Sequence, residues 1–225
     1  MKIISSMATR ALLAELAEAA GQALELTVSV ESVGGVDAAK RVRAGEAFDA
    51  VVLASDVIDA LIAEGHALPG SRVDLVRSEV AVAVPAGAPV PDIASAAALR
   101  QAMLAAPSLG YSTGPSGNAL LRYIDSWGLS ETLRPRLVQA PAGVPVGTLV
   151  ARGEVALGFQ QLSELIHVAG ITLAGPMPAD APIVTVFSGA VCQTAPAPQT
   201  AAQVLAWMAQ PATAQAKQRQ GMAPA

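Results

Sequence analysis

The sequence predicts an α/β protein: two α/β lobes joined by two crossing strands. Three observations carry that expectation. Between residues 2 and 64, strand-like and helix-like stretches alternate with short loops, the rhythm of a parallel sheet with right-handed crossovers. Two β-rich runs, Val73–Pro85 and 183–192, are longer than an ordinary strand and read as passages between lobes. An amphipathic stretch, 199–210, follows the second passage and so returns to the first lobe. The expected division is 1–80 plus 193–225 for one lobe and 86–185 for the other. Residues 81–85 and 186–192 are the expected crossing hinge segments.

Each element has its own warrant. Lys2–Ser6 is a short strand candidate, and 8–20 places Leu12, Leu13, Leu16 and Ala20 on one helical face, with Gly21 as its stop. Leu24, Leu26, Val28 and Val30 alternate, which predicts a strand over 24–31. A polar-faced helix is expected over 36–44. The continuous apolar run 48–54 predicts a strand covered on both faces, and a helix over 57–64 follows, capped by Ser55 or Asp56. Beyond Pro85 the expected helices are 94–104, 119–127, 144–152 and 163–169. The expected strands are Leu109–Tyr111, Leu137–Gln139, 155–160 and 171–174. The tail past residue 210 reads as partly exposed.

Composition narrows the function classes. Of 225 residues 52% are hydrophobic but only 3% aromatic, so small aliphatic side chains build the core. No run approaches eighteen apolar residues, so no membrane span is expected. A net charge of −4 without a basic run argues against nucleic acid as partner. Cys192 is a single cysteine and the two histidines, His66 and His167, are far apart, so no metal and no cofactor is expected. Met1-Lys2-Ile3-Ile4 lacks the plan of a secretory leader, which sets the expected location as cytoplasmic. The oligomeric state is open.

The most informative stretch is 109–122, LGYSTGPSGNALLR. It reads as strand, small-residue turn, helix start, a geometry that aims free N–H groups and the positive end of a helix dipole at one point. The spacing is neither a Walker loop nor GxGxxG, so a small anion is expected in place of a nucleotide. Ser112, Ser116, Gly117 and Asn118 are its candidate ligand contacts; Ser116 or Asn118 serving as an ordinary helix cap is the competing reading. Parallel sheets bind ligands outside the carboxyl ends of their strands, which adds Ser5, Ser6 and Ser32. Arg77 and Ser78, within the first crossing strand, are candidates because a guanidinium can fork onto a carboxylate. Gln160 and Gln161 end a buried apolar strand, where polar side chains need partners.

Over nearly its whole length the chain resembles the molybdate-binding protein family, of the type II periplasmic binding-protein fold. The stretches carrying this are KIISSMATRALLAELAEAAG, VRAGEAFDAVVLASD, VAVAVPAGAP, VARGEVALGFQQLSEL and QGMAPA. The resemblance implies a ligand held in an interlobe cleft, with a hydroxyl donor at Ser6. It aligns Val36, beside Gly34 and Gly35, with a second serine donor, which is then missing or has moved to Ser32, and Gln161 with a tyrosine, so two of the three side-chain donors differ. The pairing of YSTGPSG with LGFQQLSEL is similar to a subgroup that includes aconitate isomerase.

The resulting expectation is a cytoplasmic isomerase that shifts a proton and a double bond in a small unsaturated polycarboxylate, in preference to a molybdate or tungstate binder. The alternative is the non-catalytic solute-binding protein of an ABC transporter. Glu31, Asp56, Glu79 and Glu164 are the available bases, and nothing in their spacing selects one, so no catalytic residue is assigned. Glu164 opens a helix and reads as an N-terminal cap.

Overall fold

A computed structural model describes residues 1–141 and 143–225. The fold is α/β, and the chain divides into two compact units, residues 1–78 with 185–225 and residues 79–184.

In the first unit, β1 (Lys2–Ser6) lies between β2 (Ser29–Val33) and β3 (Ala50–Ala54), and all three are parallel. Beyond β3 runs β9 (Val184–Val191), antiparallel to it. Alternation decides which residue meets which layer. Ile3 and Val52 face α1 (Arg10–Ala23) and α9 (Pro198–Ala209), packing with Leu12, Leu13, Leu16, Val204, Leu205 and Met208. Ile4, Val51 and Leu53 face the other way, onto Ala38 and Val42 of α2 (Gly35–Arg43) and Ile58 and Leu61 of α3 (Ser55–Ala63). The same alternation sends Ser5 to the α1 side and Ser6 to the α2 side.

The second unit is built on the later part of β4 (Val73–Pro85). The order is β4, then β7 (Leu157–Gln161), β5 (Leu109–Tyr111) and β6 (Leu137–Gln139), with β8 (Ile171–Pro176) also on β4. Strand β5 is parallel to both β6 and β7. One face packs on α4 (Ala96–Ala105) and α5 (Pro115–Ser126) through Leu99, Met103, Leu120 and Ile124. The short α6 (Ser130–Leu133) follows α5 and adds Leu133 to that cluster. The other face carries α7 (Val146–Ala151), and two strand glycines let it approach. A Cβ on Gly110 would stand 3.0 Å from Val146, and one on Gly158 would stand 2.4 Å from Val150. The very short α8 (Leu162–Leu165) follows β7 directly.

Several expected boundaries move, each for a physical reason. The second strand begins at Ser29, not residue 24, because Lys2 pairs with Ser29 and residues 24–28 have no β1 residue beside them. Leu24, Leu26 and Val28 still pack on the core, which is what their alternation reported. Gly21 does not end α1; it admits the returning chain, since a Cβ there would meet the Leu26 carbonyl at 2.8 Å. Helix α5 starts four residues early, with Pro115 in its first turn, where a missing N–H costs nothing. The tail is partly exposed, as expected, and it is also ordered. It forms α10 (Ala214–Arg219) and β10 (Met222–Pro224), which pairs antiparallel with β4 and buries Thr213, Lys217 and Met222.

Candidate functional site

In the first unit the carboxyl ends of β1 and β2 meet two helix starts. Ser5 is fully buried, and its Oγ shares a 2.8 Å hydrogen bond with Ser32 Oγ. Ser6 is only 8% exposed, and its Oγ has no hydrogen-bond partner. Its backbone carbonyl accepts from the Thr9 hydroxyl at 3.2 Å. Beside Ser6 is the first residue of α2: a Cβ placed on Gly35 would lie 3.7 Å from Ser6 Cβ. That helix is capped by Gly34, whose lack of a side chain leaves the first-turn N–H groups without a capping bond. A buried hydroxyl lacking an acceptor or donor is costly. Next to helix N–H groups that the cap residue leaves unbonded it suits an anion, although the Asp37 carboxylate stands at the same helix start, 3.4 Å from where a Cβ on Gly34 would be. Val36, on that first turn, is 52% exposed.

In the second unit β5 runs into the turn that starts α5. Ser112 Oγ and Ser116 Oγ share a 2.8 Å hydrogen bond, and Gly114 N–H donates to Ser112 Oγ at 3.3 Å. The N-cap is Gly114, without a side-chain cap. Ser116 therefore does not cap the helix; its hydroxyl faces Ser112. Asn118 is exposed, and its N–H is already spent on the Gly114 carbonyl at 3.2 Å. Gly117 is buried against the strand end, where a Cβ would stand 1.9 Å from the Ser112 carbonyl oxygen. That closeness brings the α5 N-terminus down onto β5.

The neighbouring strand β7 ends in Gln160 and Gln161, each 2% exposed. Gln160 bridges two elements: its Oε1 accepts from Gly147 N–H at 3.2 Å, at the start of α7, and its Nε2 donates to Glu164 Oε1 at 2.8 Å. Gln161 lies on the opposite face, shared with Leu157 and Phe159, which pack on the α5 side. Glu164 is not the helix cap that its position suggests. Burial pushes its carboxyl up to about 7, against a smaller opposing effect of the Gln160 hydrogen bond. The sequence signal was the Gln-x-x-x-Glu spacing, which crosses from strand to helix and so follows neither period.

The other carboxylates are committed or open to water. Glu31 is held well below its usual range by Arg41 and then by Lys2. Asp56 accepts from Val57 N–H, and Glu79 is exposed. Ser78 is fully buried with an unpartnered Oγ on the β4–β10 ladder, in register with Met222. Arg77 precedes it, pairs with Ala223 and is exposed, so it points to the face opposite Ser78. The structure thus gathers Ser5, Ser6 and Ser32 in one unit. It gathers Ser112, Ser116 and Gly117 in the other, one strand from Gln160 and Gln161. Arg77 and Ser78 stand on a different ladder. Among the described residues no cluster of histidine, cysteine or acidic side chains could hold a metal, and no helix is long and apolar enough to cross a membrane.

The chain is 38% identical over 185 residues to an aconitate isomerase from a Pseudomonas species, a match covering 82% of this chain and 70% of that protein. Its fold is similar to that of the periplasmic molybdate-binding protein of Azotobacter vinelandii, with a TM-score of 0.80 at 21% identity over 99% of this chain and 98% of that one. It is also similar to PEB3 in its L-phospholactate-bound form, with a TM-score of 0.77 at 11% identity over 99% of both chains. At such identities these two likenesses concern the fold. Residues 1–223 match the family described as bacterial extracellular solute-binding protein, and the chain belongs to that family.

Proposed function

We propose that this chain binds a small unsaturated polycarboxylate and shifts a proton and a double bond within it, as an aconitate isomerase does. The observation that carries this reading is that each unit offers an uncapped helix start behind a strand-end serine. These are α2 with Ser6 and α5 with the Ser112–Ser116 pair. Each of these strand ends, taken by itself, is a seat for a carboxylate. The 38% identity to an aconitate isomerase supports the same ligand class.

A second reading is a solute receptor without turnover, favoured by the family description and by fold relatives whose titles name molybdate and L-phospholactate. The two readings also differ in compartment. A cytoplasmic enzyme and an exported receptor separate on cell fractionation.

The test is a thermal-shift panel of cis- and trans-aconitate, citrate, molybdate, tungstate, sulfate and phosphate. Any acid present at a hundred times its Kd should stabilise by about 2.7 kcal/mol, or roughly 5–10 °C for a chain of this size. Trans-aconitate in D2O should then return with deuterium on carbon. Tight binding of an aconitate with neither isomerisation nor exchange selects the receptor; a response to molybdate alone removes the polycarboxylate.

A further inference from the structure

We propose that Asp37 is a specificity-determining residue: its carboxylate sets how much negative charge the start of α2 accepts, admitting a single carboxylate and turning away a compact dianion. This role rests on the reading of α2 as a carboxylate seat and holds whether or not the proton shift takes place.

One helix start and one strand end build the seat. Helix α2 has nine residues, and with Gly34 as N-cap no side chain satisfies its first N–H groups. Ser6, at the end of β1, is 8% exposed and its Oγ has no partner. Its Cβ lies 3.7 Å from where a Cβ on Gly35 would be, so the buried hydroxyl stands against the first residue of the helix. Asp37, the third residue of α2, is exposed on the same turn. Its Oδ2 turns back to 3.4 Å from the Cβ position of Gly34. The carboxylate therefore sits in the field of the same N–H groups that a ligand would use.

No ion pair takes that charge away. The two arginines of α2 are spent elsewhere, Arg41 on Glu31 and Glu46 and Arg43 on Glu64. Lys40, one turn further on, is in solvent. Among the described residues Asp37 has no ion pair. A helix start is equivalent to roughly half a positive charge, so one carboxylate beside it reverses the local sign. Hydrogen bonding by the N–H groups and by Ser6, without net charge, is then what holds an anion here. The start of α5 differs, because its first turn carries no acidic residue.

The consequence is selection by charge density. A carboxylate brings one negative charge to the seat, and a tetrahedral dianion such as tungstate brings two on one centre. At about 5 Å, in an effective dielectric between those of a protein surface and water, the second charge costs roughly tenfold in affinity. Asp37 is exposed, so salt screens the effect: the Debye length falls from about 10 Å at 0.1 M to about 3 Å at 1 M.

Tungstate and perrhenate test this directly, being tetrahedral oxyanions of similar size that differ by one charge. Calorimetric titration of wild type, Asp37→Asn and Asp37→Glu gives the tungstate-to-perrhenate affinity ratio for each. In Asp37→Asn the ratio should rise about tenfold at 0.1 M salt and by less than about threefold at 1 M. Asp37→Glu keeps the charge and should keep the wild-type ratio. The ligand-free Tm of Asp37→Asn should fall by no more than about 4 °C. In crystals of Asp37→Asn soaked with tungstate, the anomalous signal of tungsten should lie at the start of α2 beside Ser6. An unchanged ratio, a rise that salt leaves intact, or a rise shared by Asp37→Glu overturns the proposal. So does tungsten bound only at another place, or an Asp37→Asn protein that binds neither oxyanion. Trans-aconitate and its deuterium exchange stay outside this comparison, so the isomerase reading stands or falls separately.

Discussion

Replacing Gly117 by alanine tests whether the helix start really sits on the strand end. The added Cβ would fall 1.9 Å from the Ser112 carbonyl oxygen, 2.9 Å from its carbon and 3.1 Å from Tyr111 Cδ2. Carbon and oxygen ordinarily approach no closer than about 3.3 Å, so backbone must move by more than an ångström. The obstacle is a main-chain carbonyl in a buried turn and cannot rotate aside. Alanine contributes about 1 kcal/mol of helix propensity over glycine, and overpacking costs about 1–3 kcal/mol or more. With a backbone obstacle the upper end applies, which leaves a net loss of roughly 2 kcal/mol. For a chain of this length that lowers Tm by about 4–8 °C.

The matched control is Gly35→Ala, also in the first turn of a helix that follows a strand. Its Cβ would meet Ser6 Cβ at 3.7 Å and Leu53 Cδ2 at 3.8 Å, ordinary contact, so it should be neutral or stabilising by up to about 1 kcal/mol. Melting curves followed by circular dichroism measure both. The shift forced by Gly117→Ala also separates the Ser112 and Ser116 hydroxyls, so the affinity for trans-aconitate should fall at least tenfold. A Gly117→Ala protein melting at or above wild type would refute the close seating and the anion site built on it.

Two further outcomes follow from buried polar groups. Ser6→Ala removes a buried hydroxyl that has no partner, so the ligand-free protein should keep its stability or gain about 1 kcal/mol. Carboxylate affinity should drop about tenfold in the same variant, and a clear loss of ligand-free stability would mean that Ser6 serves the fold. Lys217→Met should raise stability by about 1–3 kcal/mol, because Lys217 is 1% exposed and desolvation alone pulls its pKa below the usual lysine range. The sign is fixed: between the lowered folded value and about 10.5 the unfolded chain holds a proton that the folded one lacks. Wild-type stability should therefore rise with pH up to about 10.5, and urea titrations of Lys217→Met should lose that slope.

Where burial is periodic, the sequence was readable. Ile3 and Ile4 mark the two faces of β1, and the leucines of α1 mark its buried stripe, because alternation and helical repeat follow from backbone geometry alone. The serines at the ends of β1 and β5 were readable for the same reason, since strand ends in a parallel sheet are where helices begin. Other features depend on distances between segments far apart in the chain. The role of Gly21 depends on the Leu26 carbonyl, the late start of β2 on its register with β1, and the order of the tail on β10 finding β4. Glu164 combines both cases. Its position one turn from Gln160 was visible, but a helix cap and a carboxyl turned back onto the preceding strand carry the same sequence signature, and only the packing around it separates them.

The first turn of α2 bears on ligand choice in a way that hydrogen-bond donors alone do not. A tetrahedral oxyanion presents charged oxygen in every direction, so each wall of its site is best lined by donors. Here the turn beside Ser6 offers N–H groups from Gly35 onward and carries two exposed side chains, the apolar Val36 and the acidic Asp37. An aliphatic group against an oxyanion would strip water from charge and return no hydrogen bond. Against the carbon chain of a polycarboxylate the same group covers apolar surface, while the neighbouring N–H groups meet the carboxylate. On the proposed reading Val36 therefore selects for carbon between the charges.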